Sequence, residues 1–267
     1  MAGQLIVLPG VTAAASANAP RINMNAADTV AAKISSLKHA AAARAMTAVS
    51  GGGVTGRCRV TGQPLVSKGT SPKNLSLTEV SGKKALAAGS NSGLALPSGS
   101  LTTSYTVVAA VALASADVSA SGAVNLLAGF SPADEYTSLT LRYYGSLAAS
   151  PNTDVFMAAG PVITNTAVAR VARPAGAWAI VVIDFSDSQL LSLAVNQAAT
   201  FATLQRSSSP VIVDGSYLEL GYHPSSGLAN SKIGDIYTFN GSLLTSDLGK
   251  AQLADLVAAM KSVYGIA

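Results

Sequence analysis

Residues 176–196 read Gly-Ala-Trp-Ala-Ile-Val-Val-Ile-Asp-Phe-Ser-Asp-Ser-Gln-Leu-Leu-Ser-Leu-Ala-Val-Asn. Trp178–Asp184 is a short apolar run rich in β-branched residues, and Leu190–Val195 is a second. Polar residues separate the two, as between strands of a hairpin. Trp178 is the only tryptophan of the chain and heads a long apolar strand, so it is expected to anchor the core. Asn196 falls where a turn needs positive φ, which Asn tolerates.

The same texture begins at Val54 and runs through the rest of the chain up to the closing helix. Further strands are expected at Arg59–Val60, Leu75–Val80, Ala85–Ala87, Leu94–Leu96, Tyr105–Ala114, Val124–Phe130, Leu139–Tyr144, Val155–Ala158, Tyr217–Tyr222 and Lys232–Phe239. Clusters of Gly, Pro, Ser and Asn separate them. No helical pattern of ordinary length falls between them, which excludes a βαβ organisation and predicts stacked antiparallel sheets. A closing helix is expected after Leu244, capped by Ser246 or Asp247, with Leu248, Leu253, Leu256, Val257, Met260 and Tyr264 on its apolar face.

The beginning differs. Met1–Asn25 is an apolar arm without a period, interrupted by Pro9-Gly10 and preceded by no positive charge, so it reads as an ordered arm rather than a signal peptide. Asn25 and Asp28 mark a helix start, and Val30, Ile34, Leu37 and Ala41 follow at helical spacing, predicting a helix over Ala26–Met46. Such a stripe must be buried. Residues 1–50 are therefore expected to be an anchoring segment, with the stripe as its face, and residues 51–267 a separate sandwich. The rival arrangement lays the helix on the sandwich as a lid.

Composition narrows the function classes. Charged residues make up only 11% of the 267, which fits either a neutral Ser/Thr surface or one covered by other subunits. Residues 1–100 hold ten Lys and Arg against Asp28 and Glu79, a balance of +8, whereas residues 101–267 balance at −4. A basic leading segment is expected to dock on something acidic. The cations are scattered and match no nucleic-acid motif, and no apolar run is long enough to span a membrane. Cys58 is the single cysteine, so no disulfide forms within the chain. Arg57 and Arg59 flank it and would lower its thiol pKa if they sat close.

Four pieces, in order, carry a resemblance. Gly82-Lys-Lys-Ala-Leu86 leads to Gly93-Leu-Ala-Leu-Pro97 and Ser104-Tyr-Thr-Val-Val-Ala109. Gly176-Ala-Trp178 heads its strand and is followed by Leu191-Ser-Leu-Ala-Val-Asn196, with Gln197 where glycine is usual. Tyr217-Leu-Glu-Leu-Gly221 and Lys232-Ile-Gly-Asp-Ile-Tyr-Thr-Phe-Asn240 then precede the closing helix. From Val54 to Ala267 the chain resembles the concanavalin A-like lectin/glucanase jelly rolls of the laminin-G-like kind. The resemblance implies an all-β, two-sheet antiparallel jelly-roll sandwich.

Glucanases of that family carry Glu-x-Asp-x-Glu on one strand face, as retaining hydrolysis needs. This chain has only Glu79, Glu135 and Glu219, widely separated, and its histidines are only His39 and His223. It is therefore expected not to be an enzyme. No cofactor is expected. The resemblance does admit Ca²⁺ held by loop aspartates, for which Asp117, Asp134, Asp154, Asp187 and Asp214 are the candidates. Sugar binding needs exposed aromatics beside polar loops. Tyr143-Tyr144 and Tyr222-His223 are the candidate glycan contacts.

The layout of arm and lectin-like sandwich is similar to accessory proteins of tailed-phage virions. The leading expectation is a structural protein of a virus particle, assembled in the host cytoplasm, whose partners are itself and other virion proteins. The alternative is a carbohydrate-binding adhesin or receptor-recognition module with a host-surface glycan as partner.

Overall fold

The computed structural model describes residues 24–159, 169–205 and 212–267, apart from the Ser138 side chain. Of the arm expected over Met1–Asn25, residues 1–23 lie outside the described residues. The chain begins with helix α1 (Ala26–Ala31) and strands β1 (Leu37–Ala42), β2 (Thr47–Ala48), β3 (Val54–Thr55) and β4 (Val66–Lys68). Next come β5 (Leu75–Val80), β6 (Lys83–Ala88), β7 (Gly93–Ala95), β8 (Tyr105–Ala112), α2 (Ser115–Val118), β9 (Ala123–Phe130) and β10 (Tyr136–Tyr144). The remainder is β11 (Val155–Ala159), β12 (Ala169–Ala172), β13 (Trp178–Phe185), β14 (Leu190–Val195), β15 (Ala202–Gln205), β16 (Tyr217–Gly221), β17 (Lys232–Asn240) and α3 (Asp247–Tyr264).

Two antiparallel sheets make a sandwich. One runs β15-β14-β13-β8-β17-β6-β5, with β1 added beside β17, and the other runs β12-β11-β10-β9-β16-β7-β4. The inner faces meet in a core of Val107, Ala109, Val181, Ile183, Leu139, Leu141, Leu218 and Leu220, among others. The first sheet is apolar on its outer face too. Val108, Ala110, Trp178, Ile180, Val182 and Tyr237 point there, and helices α1 and α3 cover them. Burial on both faces is why β8 and β13 read as continuous apolar runs rather than alternating ones.

Helix α3 starts where Ser246 Oγ accepts from Gly249 N at 3.1 Å and ends at Gly265, whose φ of +68° only glycine adopts freely. Its stripe of Leu253, Leu256, Val257, Met260 and Tyr264 is buried, whereas Leu248, expected on that face, is 70% exposed in the first turn. The Tyr264 ring stacks at 4.5 Å on Trp178, which is 3% exposed and donates from Nε1 to Val80 O at 3.1 Å. A Cβ on Gly234 would collide with the Tyr264 phenol, so this position has to be glycine for α3 to dock. Asn196, as expected, has positive φ, 57°.

The helix expected over Ala26–Met46 is corrected. Asn25 does cap it, in a reciprocal box with Asp28, but the helix stops at Ala31. Leu37–Ala42 instead pairs with β17, Leu37 opposite Phe239 and Ala42 opposite Asp235. Strand β6 reaches β17 only at Ile233 and leaves that edge open beyond, so sheet pairing outweighs the weak helical preference of the alanines. Val30, Ile34, Leu37 and Ala41 therefore do not form one helical stripe. Ile34 lies in the helix-covered cluster with Val30 and Leu37 half-buried beside it, while Ala41 points into the inter-sheet core. The strand expected at Arg59–Val60 is a turn.

Two cations of the leading segment are paired within the chain. Arg44 bonds both Asp28 and Asp235, Arg59 reaches Asp28 at 2.7 Å, and the Tyr237 hydroxyl donates to Asp28 at 2.9 Å. Burial pushes the Asp28 pKa up, but the Asn25 N–H, Arg44 and Arg59 more than offset it and hold the carboxyl below its usual value.

Candidate functional site: an open aromatic and basic sheet face

Among the described residues no helix lies over the outer face of the second sheet. On β16, Leu218 and Leu220 enter the core, so alternation turns Tyr217 and Glu219 outward. Opposite Tyr217 on β9 stands Phe130, and opposite Phe130 on β10 stands Tyr136. The loop after β16 folds Tyr222 and His223 back over this row. Phe130 is its centre: Tyr217 stacks on it at 5.7 Å and 20°, Tyr222 at 6.1 Å and 22°, and His223 leans in at 4.8 Å. Tyr136 meets Tyr222 edge-on at 5.7 Å. Phe130 and Tyr217 are buried, whereas Tyr136, Tyr222 and His223 keep a half-exposed rim.

Polar groups frame the rings. Lys68 Nζ lies 4.7 Å above the Tyr217 ring and 2.6 Å from Asp134 Oδ1, which also accepts from the Tyr217 hydroxyl at 2.6 Å. These bonds from Lys68 and Tyr217 hold Asp134 below the usual carboxylate value. Glu219 is fully buried. Its Oε1 accepts from His223 N at 2.7 Å and its Oε2 lies 2.7 Å from His223 Nδ1, so one proton must sit between ring and carboxylate. Burial raises the Glu219 pKa against the lowering effect of those two bonds. The carboxylate lies over Gly93, where a Cβ would strike it. Beside Tyr136 a shallow pocket of about 270 Å³ is lined by Ser131, Pro132, Glu135 and Val213.

Of the expected glycan contacts, Tyr222 and His223 belong to this layer. Tyr143 and Tyr144 part company across β10. Tyr143 is fully buried against Phe156 at 5.4 Å and bonds Asp154; burial first, then Asp154, pushes its hydroxyl up to about 12. Tyr143 is thus corrected to a core residue. Tyr144, on the opposite side of the strand, shares the open face.

The calcium candidates are dispersed. Asp117 accepts from Asn230 and Ser231, Asp134 serves Lys68, and Asp154 binds Arg173 at 2.7 Å, while Asp187 and Asp214 are exposed in loops. Among the described residues no three His, Cys, Asp or Glu side chains converge as a metal site. Cys58 is buried, 3.4 Å from His39 Nδ1. Burial raises its pKa, but bonds from His39 and Thr61 bring it down to about 6. The flanking arginines look elsewhere, Arg59 to Asp28 and Arg57 to Gly62 O.

The sequence reading missed Phe130, Tyr136, Tyr217, Lys68 and Glu219. One signal was available: Tyr217-Leu-Glu-Leu-Gly221 alternates, and a glutamate centred in an apolar strand needs a built partner.

No protein-family model matches the chain, and neither does any curated protein. Solved structures do share its fold. Domain 4 of a GH43 extracellular arabinanase from Geobacillus stearothermophilus, solved with arabinotriose, matches at a TM-score of 0.52 and 13% identity over 83% of this chain and 98% of that one. Trypanosoma rangeli sialidase matches at 0.55 and 14%, over 86% of this chain and 34% of the sialidase. The binding domain of botulinum neurotoxin DC, in complex with SialylT, matches at 0.52 and 9%, over 85% and 52%. This chain thus spans about a third of the sialidase and half of the neurotoxin domain. Likeness at these identities is likeness of fold: an antiparallel β-sandwich.

That likeness corrects one expectation. The exclusion of enzymes rested on a missing carboxylate motif. Structures with this fold come from glycoside hydrolases, an arabinanase and a sialidase, so a missing motif on one strand does not set the chain apart from enzymes. The exclusion is withdrawn.

Proposed function

We propose that the chain is a concanavalin A-like, laminin-G-like sandwich that binds glycan on the open face of its second sheet. The observation that carries this is the layer of Phe130, Tyr217, Tyr222 and His223, edged by Tyr136, whose half-buried rim of Tyr136, Tyr222 and His223 no described helix covers. Sugar rings present C–H faces to aromatic rings and hydroxyls to polar rims, and this layer supplies both. The Glu219–His223 pair and the Lys68–Asp134 pair fix the ring positions before any ligand arrives, which lowers the ordering cost of binding. Two fold neighbours were solved with sugars, the arabinanase domain with arabinotriose and the sialidase with sialic acid, which supports a glycan reading. The proposal holds equally for a module displayed on a virion, the setting expected from the sequence.

The test is a glycan array probed with the full chain, followed by titration with the best ligand. Tyr222→Ala should weaken binding at least tenfold with an unchanged melting temperature. Full affinity retained in Tyr222→Ala and His223→Ala would place any sugar site elsewhere.

A further inference from the structure

The Glu219–His223 pair leaves one atom of the aromatic rim without a role. His223 Nδ1 is committed to Glu219 Oε2 at 2.7 Å, and the His223 backbone N–H to Oε1 at 2.7 Å. The other ring nitrogen, Nε2, bonds to no described group. His39 Nε2, also without a partner, is shielded from solvent; His223 Nε2 is not, and 15% of the His223 side chain is exposed. Three contacts fix the ring in this pose. Glu219 holds Nδ1, Phe130 supports the ring face at 4.8 Å, and Gly69 closes behind it, where an added Cβ would come within 3.1 Å of His223 Cβ. A polar atom held open at a fixed place beside Tyr222 is positioned to bond a ligand.

What this atom offers follows from counting protons. Both Glu219 oxygens accept, one from the backbone N–H and one from the ring, so the single proton of the pair sits on Nδ1. The neutral ring then carries a bare lone pair on Nε2, which accepts a hydrogen bond and has none to give. The surrounding charges favour the same kind of ligand. The pair carries one negative charge, and Asp134 already engages Lys68 and the Tyr217 hydroxyl. Glu135 adds a further acid in the shallow pocket beside Tyr136. A sugar carboxylate brought to this rim meets acceptors and like charge, whereas a sugar hydroxyl meets an acceptor that lacks a donor.

Resting on the glycan reading above, we infer that the ligand is a neutral glycan, one hydroxyl of which donates to His223 Nε2 while a C–H face of the sugar lies on Tyr222. His223 is the specificity-determining residue. Glu219 is a positioning residue: it touches no sugar, but it orients the imidazole and sets its tautomer. A site built to bond a hydroxyl discriminates against ligands that cannot supply one far more strongly than an apolar surface does. Tyr222 supplies the affinity common to all sugars.

The experiment has a ligand-free arm and a titration arm, both on the full chain at about pH 8, above the ordinary titration range of histidine. In the first, the imidazole nitrogens of isotope-labelled protein are observed by NMR. His223 should be protonated at Nδ1 and bare at Nε2, and a proton on Nε2 overturns the inference whatever the glycan does. In the second, an oligogalacturonate is titrated against the same oligomer after carboxyl reduction, and sialyllactose against lactose. In whichever pair binds, the neutral member should be tighter by about tenfold. Glu219→Gln puts an amide donor opposite Nδ1 and so drives the ring proton to Nε2. It should shift the NMR signature and weaken neutral-sugar binding by about tenfold. Where that variant does not fold, His223→Phe keeps a ring on Phe130 without a nitrogen, and the same loss is expected. Equal or tighter binding of the acidic members, or neutral-sugar binding that survives the variant, overturns the inference. In either outcome a loss of binding in Tyr222→Ala leaves the glycan face standing. No binding of any sugar, here or on the array, removes both readings together.

Discussion

The two outer faces of this sandwich are built on one rule and end differently. Each sheet buries its inner face in the same core. Outward, the first sheet presents Val108, Ala110, Ile180 and Val182, which water disfavours by about 25 cal/mol per Å², and α1 and α3 are spent on covering them. On the second, Tyr136, Tyr222 and His223 keep a partly exposed rim over buried Phe130, Tyr217 and Glu219, and no described helix covers it. A covered face is for stability. A face that keeps a partly exposed aromatic rim is where the proposed ligand would bind.

Removing the cover should have the largest effect. A chain starting at Val49 lacks α1 and β1, exposes the β17 edge and takes Arg44 and Asn25 away from the buried Asp235. It should aggregate or fail to unfold cooperatively in urea, against the sequence expectation of an independent sandwich. A soluble two-state fragment would return residues 24–48 to a mere appendage.

Trp178→Ala should cost about 3–5 kcal/mol, because the indole fills the space beneath Tyr264. Denaturant midpoints measure it, and sugar affinity should not change. Next comes Asp28→Asn, at about 3 kcal/mol near neutral pH, since it leaves Arg44 and Arg59 short of a buried counter-charge. The sign in pH follows from the depressed carboxyl. Its contribution is complete above the unfolded value of 3.8 and disappears as pH falls through the lower folded value, so wild type and variant should converge in acid.

Smaller effects fall on the open face. Gly93→Ala should cost about 1–3 kcal/mol by driving a Cβ into Glu219, and Glu219→Ala in the same chain should recover most of it. Tyr222→Ala should move stability by less than about 0.5 kcal/mol, the usual range for a surface position, while removing sugar binding. A large loss of stability there would mean that the aromatic layer is core and would blur the contrast between the faces.

Much of the covered half was legible. The continuous apolar run of β13, the Ser246 cap and the Leu253–Tyr264 stripe follow local rules, and the structure repeats them almost residue for residue. The N-terminal segment was not. Leu37–Ala42 carries helical spacing and helix-forming alanines, yet its conformation is set by an edge of β17 some two hundred residues away, which no local pattern reports. The open face was half legible. Tyr222-His223 stood out as an aromatic beside a polar loop, and alternation guaranteed that one of Tyr143 and Tyr144 faced out. Phe130 and Tyr217 read as ordinary strand residues, because their meeting depends on the pairing of β9 with β16.

Strand β17 also decides when this protein can fold. It lies between β8 on one side and both β6 and β1 on the other, and α3, which seals the outer surface, comes after it. During synthesis the chain therefore emerges with β8 and β13 made but their neighbour and their cover still inside the ribosome. Strand β1 waits for its partner until residues 235–239 have been made. Contacts of such long sequence separation slow folding and prolong the exposure of adhesive strands. Residues 232–264 act as a clasp on the strands made before them.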